Sequence, residues 1–241
     1  MKKFTISLIF ILILINDVYS QDDNWNSISS VMEYFVNSIK NGNIEQTVQT
    51  SPYYYDEIIS KFDPKESIMW MTAILPTGII MPVEYKVLYK YFNLSGYSKN
   101  IQTFIWSLLL YEKYPEFLQM SPIHVNNDYK IIEEYLNQLD INRLKDLELI
   151  RIDLYKPDLQ TGEGIKRLNE VKQRIYGFEE QWQYTALYKF NNKFFVGGFT
   201  TEKYEDKWYI SNLNCSLANF LGGLIICPSV AEYVKAFDYE L

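Results

Sequence analysis

The chain has 241 residues, of which 48% are hydrophobic and 17% aromatic, and a formal net charge of −7. That length supports one sizeable core, or a core with an elaborate insertion, while the acidity and the lack of any Lys/Arg cluster exclude a nucleic-acid phosphate footprint. One histidine and two cysteines cannot supply the four ligands of a structural zinc site, and no cofactor is expected.

Met1, Lys2 and Lys3 form a basic start, residues 4–15 are almost wholly apolar, and Val18 and Ser20 stand where a signal peptidase inspects the chain. Residues 1–20 are therefore expected to be a secretory signal peptide, cut before Gln21. An uncleaved anchor is the alternative, but the apolar core falls short of the ~20 residues that span a bilayer. No cysteine stands at the end of the apolar run, so a lipid-modified bacterial signal is not expected. The expected location is thus secreted or periplasmic, with no stable membrane anchor after cleavage.

Ile28, Val31, Met32, Phe35, Val36 and Ile39 recur at helical spacing, with Asn26 or Ser27 as the cap and Asn41 and Gly42 as the stop. Asn43 is placed to cap a short helix over 44–50. Further helices are expected at 65–75, 83–92, 98–113 and 127–139, divided by Pro76, by the stretch from Asn93 to Gly96, and by Pro115. Apolar faces follow from Ile101, Phe104, Ile105, Leu108 and Leu109, and from Tyr129, Ile132, Leu136 and Leu139.

The period then changes. Residues 147–155 alternate like a strand, with a change of phase that predicts a bulge near Leu149 and Ile150. After a turn-rich link at 157–164, Ile165, Leu168, Val171 and Ile175 suit a helix ended by Gly177. Residues 182–190, 193–204 and 207–213 are rich in aromatic and β-branched side chains, and each is joined to the next by two polar residues, Asn191 with Asn192 and Glu205 with Asp206. They read as a three-stranded antiparallel meander. Gly197 and Gly198 in its middle strand predict a bend or bulge, and residues 229–237 suit a terminal helix.

The fold class expected is α+β: a curved antiparallel sheet of about four strands in the C-terminal half, packed against an N-terminal helix and a helical layer. One such domain is expected over 21–241, with a helical insertion at about 57–140.

Two phrases carry a family resemblance. The first helix closes on Ile39-Lys40-Asn41-Gly42-Asn43, and a late strand reads Asp206-Lys207-Trp208-Tyr209-Ile210. In this the chain resembles the NTF2-like, cystatin-like superfamily, whose first helix often closes on a Gly-Asp or Gly-Asn step and whose last strands carry a Gly-Lys-Trp-Tyr-Ile phrase. The resemblance implies a cone whose concave sheet face hosts a small-ligand pocket, an active site or a dimer surface. It transfers no catalytic residue.

Cys215 and Cys227 flank a short apolar segment. In an oxidising compartment a disulfide between them is expected, worth about 3 kcal/mol on a chain-entropy estimate; two buried free thiols are the alternative. His124, the one histidine, has no Gly-x-Ser-x-Gly elbow to serve. Asp153, the pair Glu133 and Glu134, and the pair Glu179 and Glu180 are candidate acids or bases, and adjacent acids are more often solvated. Asn93 and Asn214 begin tripeptides of the glycosylation pattern.

The 21 tyrosines suit both ligand walls and ordinary half-buried sheets. Trp182, Tyr184, Tyr188 and Trp208 are the ligand-binding candidates if the sheet is open. The preferred reading is a non-enzymatic exported protein that binds a small apolar ligand or a protein partner on its sheet face. The alternative is an exported hydrolase or isomerase using carboxylate and tyrosine acid–base groups, which requires a buried carboxylate with a raised pKa in a pocket. A third reading is self-association, a homodimer, through that face.

Overall fold

The computed structural model describes residues 25–67, 86–112, 129–218 and 223–237. The expected signal peptide and His124 lie outside them, as do parts of the helices expected at 65–75, 83–92, 98–113 and 127–139.

Helix α1, Ile28–Lys40, begins at Ser27, whose hydroxyl accepts from the backbone N–H of Ser30 while the Ser30 hydroxyl caps Ser27 in return. It ends at Asn41, followed by Gly42 at φ +68°, a left-handed step that glycine adopts without strain. Val31, Met32, Phe35, Val36 and Ile39 are buried on one face, each such side chain contributing about 1.5–3 kcal/mol. Helix α2, Ile44–Gln49, starts as expected at Asn43, whose side chain accepts from the N–H of Gln46. A 3-10 turn over Pro52–Tyr54 and the short α3, Asp56–Ser60, follow.

Helix α4 differs from expectation. It runs unbroken over Lys86–Leu110, through the stretch from Asn93 to Gly96 that reads as punctuation. A glycine inside a helix costs about 1 kcal/mol, and burial of Tyr97, Ile101, Phe104, Leu108 and Leu109 beyond it offsets that. In α5, Tyr129–Gln138, Leu136 is exposed and not part of a core face.

The sheet consists of β1 (Glu148–Leu154), β2 (Glu180–Phe190), β3 (Lys193–Tyr204), β4 (Lys207–Asn212) and β5 (Ile225–Cys227). It is antiparallel, curved and unclosed, in the order β1-β2-β3-β4, with β5 also paired to β3. The expected bulge in β1 is present: the register with β2 shifts between Leu149 and Arg151. Asn191 and Asn192 both have positive φ, the requirement of a tight hairpin turn. No bulge marks Gly197, whose strand keeps an unbroken register with β2. The Leu224 side chain sits close over it: a Cβ there would lie 2.7 Å from Leu224 Cδ2, which would have to move. The irregularity falls instead between Thr200 and Thr201, on the β4 side.

The outer edge of β4 is not left open. Trp208 donates its N–H to the Trp25 carbonyl at 2.7 Å and Ile210 donates to the Thr50 carbonyl at 2.8 Å, so the N-terminal segment covers a strand edge that would otherwise template aggregation. The link after β1 holds a short helix, α6 (Pro157–Thr161), and then α7 (Glu163–Tyr176). From α6 the buried Gln160 side chain exchanges two hydrogen bonds with the Gln183 backbone, donating at 2.8 Å and accepting at 2.8 Å. A side-chain amide thus continues the ladder where β1 ends. Helix α7 stops at Gly177, φ +76°, where a Cβ would meet Lys61 Cβ at 2.6 Å.

The register gives the sheet two faces. One carries Tyr184, Ala186, Tyr188 and Phe190 opposite Phe199, Gly197, Phe195 and Lys193 and joins α1 and α4 in the main core. The other carries Leu187 and Val196 at one end, under helix α8 (Val230–Phe237), and Gln181, Gln183, Thr200 and Glu202 at the other. Tyr233 of α8 donates to Asp153 Oδ2 at 2.6 Å and lies 3.0 Å from Thr185 Oγ1, while Arg151 Nε holds both Asp153 oxygens at 2.8 Å.

The disulfide expected between Cys215 and Cys227 is not present. Both are free thiols, buried in the small apolar cluster with Leu187, Val196 and Tyr233 and not at disulfide distance. Each is anchored separately: Cys227 by the pairing of β5 with β3 and a contact from Sγ to the Ser229 carbonyl at 3.1 Å, Cys215 by the turn that leaves β4. Burial pushes the Cys215 thiol up to about 11, which keeps it protonated and unreactive at neutral pH.

Candidate functional site

The polar end of the second face is roofed by three segments remote from one another in the chain. Tyr53 comes from the 3-10 turn, Tyr89 and Asn93 from the first half of α4, and Lys172 and Tyr176 from the last turns of α7. Below them lie Gln181 and Gln183 of β2, Thr200 and Glu202 of β3, and Ser211 and Asn212 of β4, with Asn214 and Ser216 just beyond. The cleft is open to solvent and has a volume of about 250 Å³, on the order of eight waters.

Glu202 is the centre of this cleft. It is only 4% exposed. Its Oε1 accepts from Gln181 Nε2 at 2.8 Å and its Oε2 accepts from the Tyr204 hydroxyl at 3.0 Å. Lys172 Nζ donates to Gln181 Oε1 at 3.0 Å, so one amide bridges amine and carboxyl. Burial drives the Glu202 carboxyl above the usual range; hydrogen bonds from Gln181, Tyr204 and Ser211 and the Lys172 charge pull the other way without cancelling it. Burial also lowers the Lys172 amine, against the pull of Glu202. Both partners of a would-be ion pair are shifted towards their neutral forms.

Rings form one wall. Phe62 and Tyr89 stack at 3.8 Å with planes 3° apart, and Tyr176 lies nearly parallel to Tyr89 at 6.1 Å. Tyr53 meets Tyr89 edge-on at 5.9 Å. Burial, reinforced by Glu202, raises the hydroxyls of Tyr53, Tyr89 and Tyr176. At neutral pH the wall presents protonated phenols, each able to donate and accept. Asn93 and Asn214 of the two glycosylation tripeptides line this same cleft.

The four aromatic residues expected at the site are not gathered into one opening. Tyr188 is buried beneath the edge of Phe104, at 5.1 Å. Tyr184 stacks on Phe199 at 5.3 Å, and burial pushes its hydroxyl up to about 12. Trp208 is half-buried with Lys203 Nζ 6.0 Å from its ring. Trp182 donates from Nε1 to Glu180 Oε2 at 3.1 Å and borders a surface groove of about 470 Å³ between β2 and α7. Of the candidate acids, Glu133 and Glu134 are exposed, Glu179 is exposed, Glu180 pairs with Lys203 at 3.4 Å, and Asp153 is held by Arg151 and Tyr233. Glu202, which the sequence reading does not single out, carries the site. The sequence offered little to find it by: Lys193 and Lys203 are ionisable residues of the same middle strand and are not buried.

Among the described residues, no group of three or more His, Cys, Asp or Glu side chains is placed to hold a metal ion, and no helix is long and apolar enough to cross a membrane. No protein-family model matches the chain, and no curated protein sequence matches it. A solved structure does: a cystatin-like protein from Ruminococcus gnavus superposes with a TM-score of 0.54 at 15% identity, over 86% of this chain and 42% of that one. The fold is cystatin-like. At that identity the likeness is one of architecture, and this chain spans under half the length of the protein it matches. It also reaches well beyond the two terminal phrases from which the resemblance was read.

Proposed function

We propose that this is an exported, non-enzymatic protein that binds a small polar ligand in the cleft over Glu202. The observation that carries the reading is a carboxyl that is 4% exposed and held towards its neutral form, yet lines a cavity whose other walls are amides, hydroxyls, phenols and the Lys172 amine. Buried polar clusters of this kind are costly to assemble; each Glu202 oxygen already accepts a hydrogen bond, and the lone-pair capacity that remains is what a ligand donor would meet. The opposite face supports an apolar ligand less well, because Tyr184 and Tyr188 are packed against Phe199 and Phe104. Export rests on the basic start and apolar run of residues 1–20.

A ligand that binds the folded state raises the unfolding free energy by about 2.7 kcal/mol at a hundredfold excess over Kd. Thermal unfolding of the mature chain with a panel of monosaccharides, amino acids and nucleosides should show an upward shift with one class, and the shift should vanish in Glu202→Ala. No shift with any class, or one that Glu202→Ala retains, defeats the reading.

Acid–base chemistry is the second reading, favoured by the same raised carboxyl beside phenol donors. It differs in what Glu202→Gln does. The amide keeps the shape and a donor, so a pure binding site retains affinity, whereas a proton-transferring site loses turnover with binding intact.

A further inference from the structure

The cleft over Glu202 continues past Asn93. A second cavity of about 350 Å³ shares Tyr53, Asn93, Ser211 and Asn212 with the first, so the two are compartments of one trough. The inner compartment alone is smaller than the ~300–1,000 Å³ usual for a ligand site, and the pair together falls within that range. The outer compartment is bounded by α4, where Phe92 is 66% exposed and lines the cavity. The lining of this second compartment is more apolar than that of the first, and an exposed ring on its wall is a platform with one apolar face left to cover.

Two side-chain amides at the junction keep both donor and acceptor capacity in reserve. Asn93 donates its amide N–H to the Tyr89 carbonyl at 2.8 Å, leaving its side-chain oxygen to accept. Asn212 accepts from Asn100 Nδ2 at 2.6 Å, leaving its own N–H to donate. An acceptor beside a donor matches a hydroxyl group, which both donates and accepts. The trough also carries few charged side chains: Glu202 and Lys172 are linked through Gln181, and Lys99 is the one other Lys, Arg, Asp or Glu among the residues that line the two cavities. A zwitterion or a polyanion would leave its own charges uncompensated there.

We infer that the trough takes a neutral glycan of at least two sugar units, one in the Glu202 compartment and the next against the ring of Phe92. This rests on the reading of the Glu202 cleft as a ligand site and names the class of ligand. The ring supplies the apolar face that a pyranose C–H face covers, and the junction amides meet the hydroxyls on either side of the glycosidic link.

The test is calorimetric titration of the mature protein with neutral di- and trisaccharides of glucose, xylose, mannose and N-acetylglucosamine and with each parent monosaccharide. One series should bind at least about tenfold tighter as the disaccharide than as the monosaccharide, a difference of about 1.4 kcal/mol. Phe92→Ala, which removes an exposed side chain, should erase that advantage and leave monosaccharide affinity unchanged. If a monosaccharide binds and no chain binds tighter, or if Phe92→Ala keeps the full disaccharide affinity, the inference falls while the Glu202 site stands. If the protein binds an amino acid or nucleoside and no sugar, the inference also falls. If nothing binds, both readings fall together.

Discussion

The two faces of the sheet are built from the same strands and do opposite things. On one, Ala186, Tyr188, Phe190, Phe195 and Phe199 are essentially inaccessible and pack under α1 and α4. On the other, one residue out of phase, Gln181, Gln183, Thr200 and Glu202 line a cleft. The aromatic face is where the stability resides. The polar face departs from what packing alone would favour, since replacing such groups by well-packed apolar ones is often neutral or stabilising, and that departure is what makes it the candidate site.

The comparison is broken most severely from the apolar side. Phe199→Ala should destabilise by about 3–5 kcal/mol, the usual result for a buried phenylalanine, read as a lower urea midpoint. A loss under 1 kcal/mol would mean that this face is not the core. A smaller effect is expected where α8 docks on the second face. Tyr233→Phe removes the bonds to Asp153 and Thr185 and should cost about 1–3 kcal/mol, with hydrogen exchange rising first in residues 230–237.

The smallest effect is the one that sharpens the contrast. Because the folded-state pKa of Glu202 is raised by burial, its contribution is fully present below the unfolded value of about 4.3. It is lost as pH rises through the folded value. Wild type should therefore lose stability over that rise, and Glu202→Gln should flatten the curve, becoming the more stable protein at the upper end. Equal slopes for the two proteins would mean that Glu202 is ordinarily solvated.

Much of the framework was readable from residues. The spacing from Ile28 to Ile39 gave α1 its buried face, Asn43 gave α2 its cap, and Asn191 with Asn192 gave the hairpin, because caps, turns and periodicity act over a few residues. Long-range features were not readable. Gly96 reads locally as a helix breaker, yet the packing of Tyr97 to Leu109 carries α4 through it. Cys215 and Cys227 look like a bonded pair by compartment and spacing, but the pairing of β5 with β3 holds Cys227 in a position of its own.

The sequence by itself determined the α+β class, the meander and its alternation, and the order of helices and strands along the C-terminal half, since those follow from local periodicity and turn chemistry. Only the tertiary structure decided which face is closed and which is open. That outcome depends on where Tyr53, Tyr89 and Lys172, each remote from Glu202 in the chain, are carried when their helices pack. A carboxylate becomes a site through the burial and partners such segments impose, and no local pattern encodes their meeting.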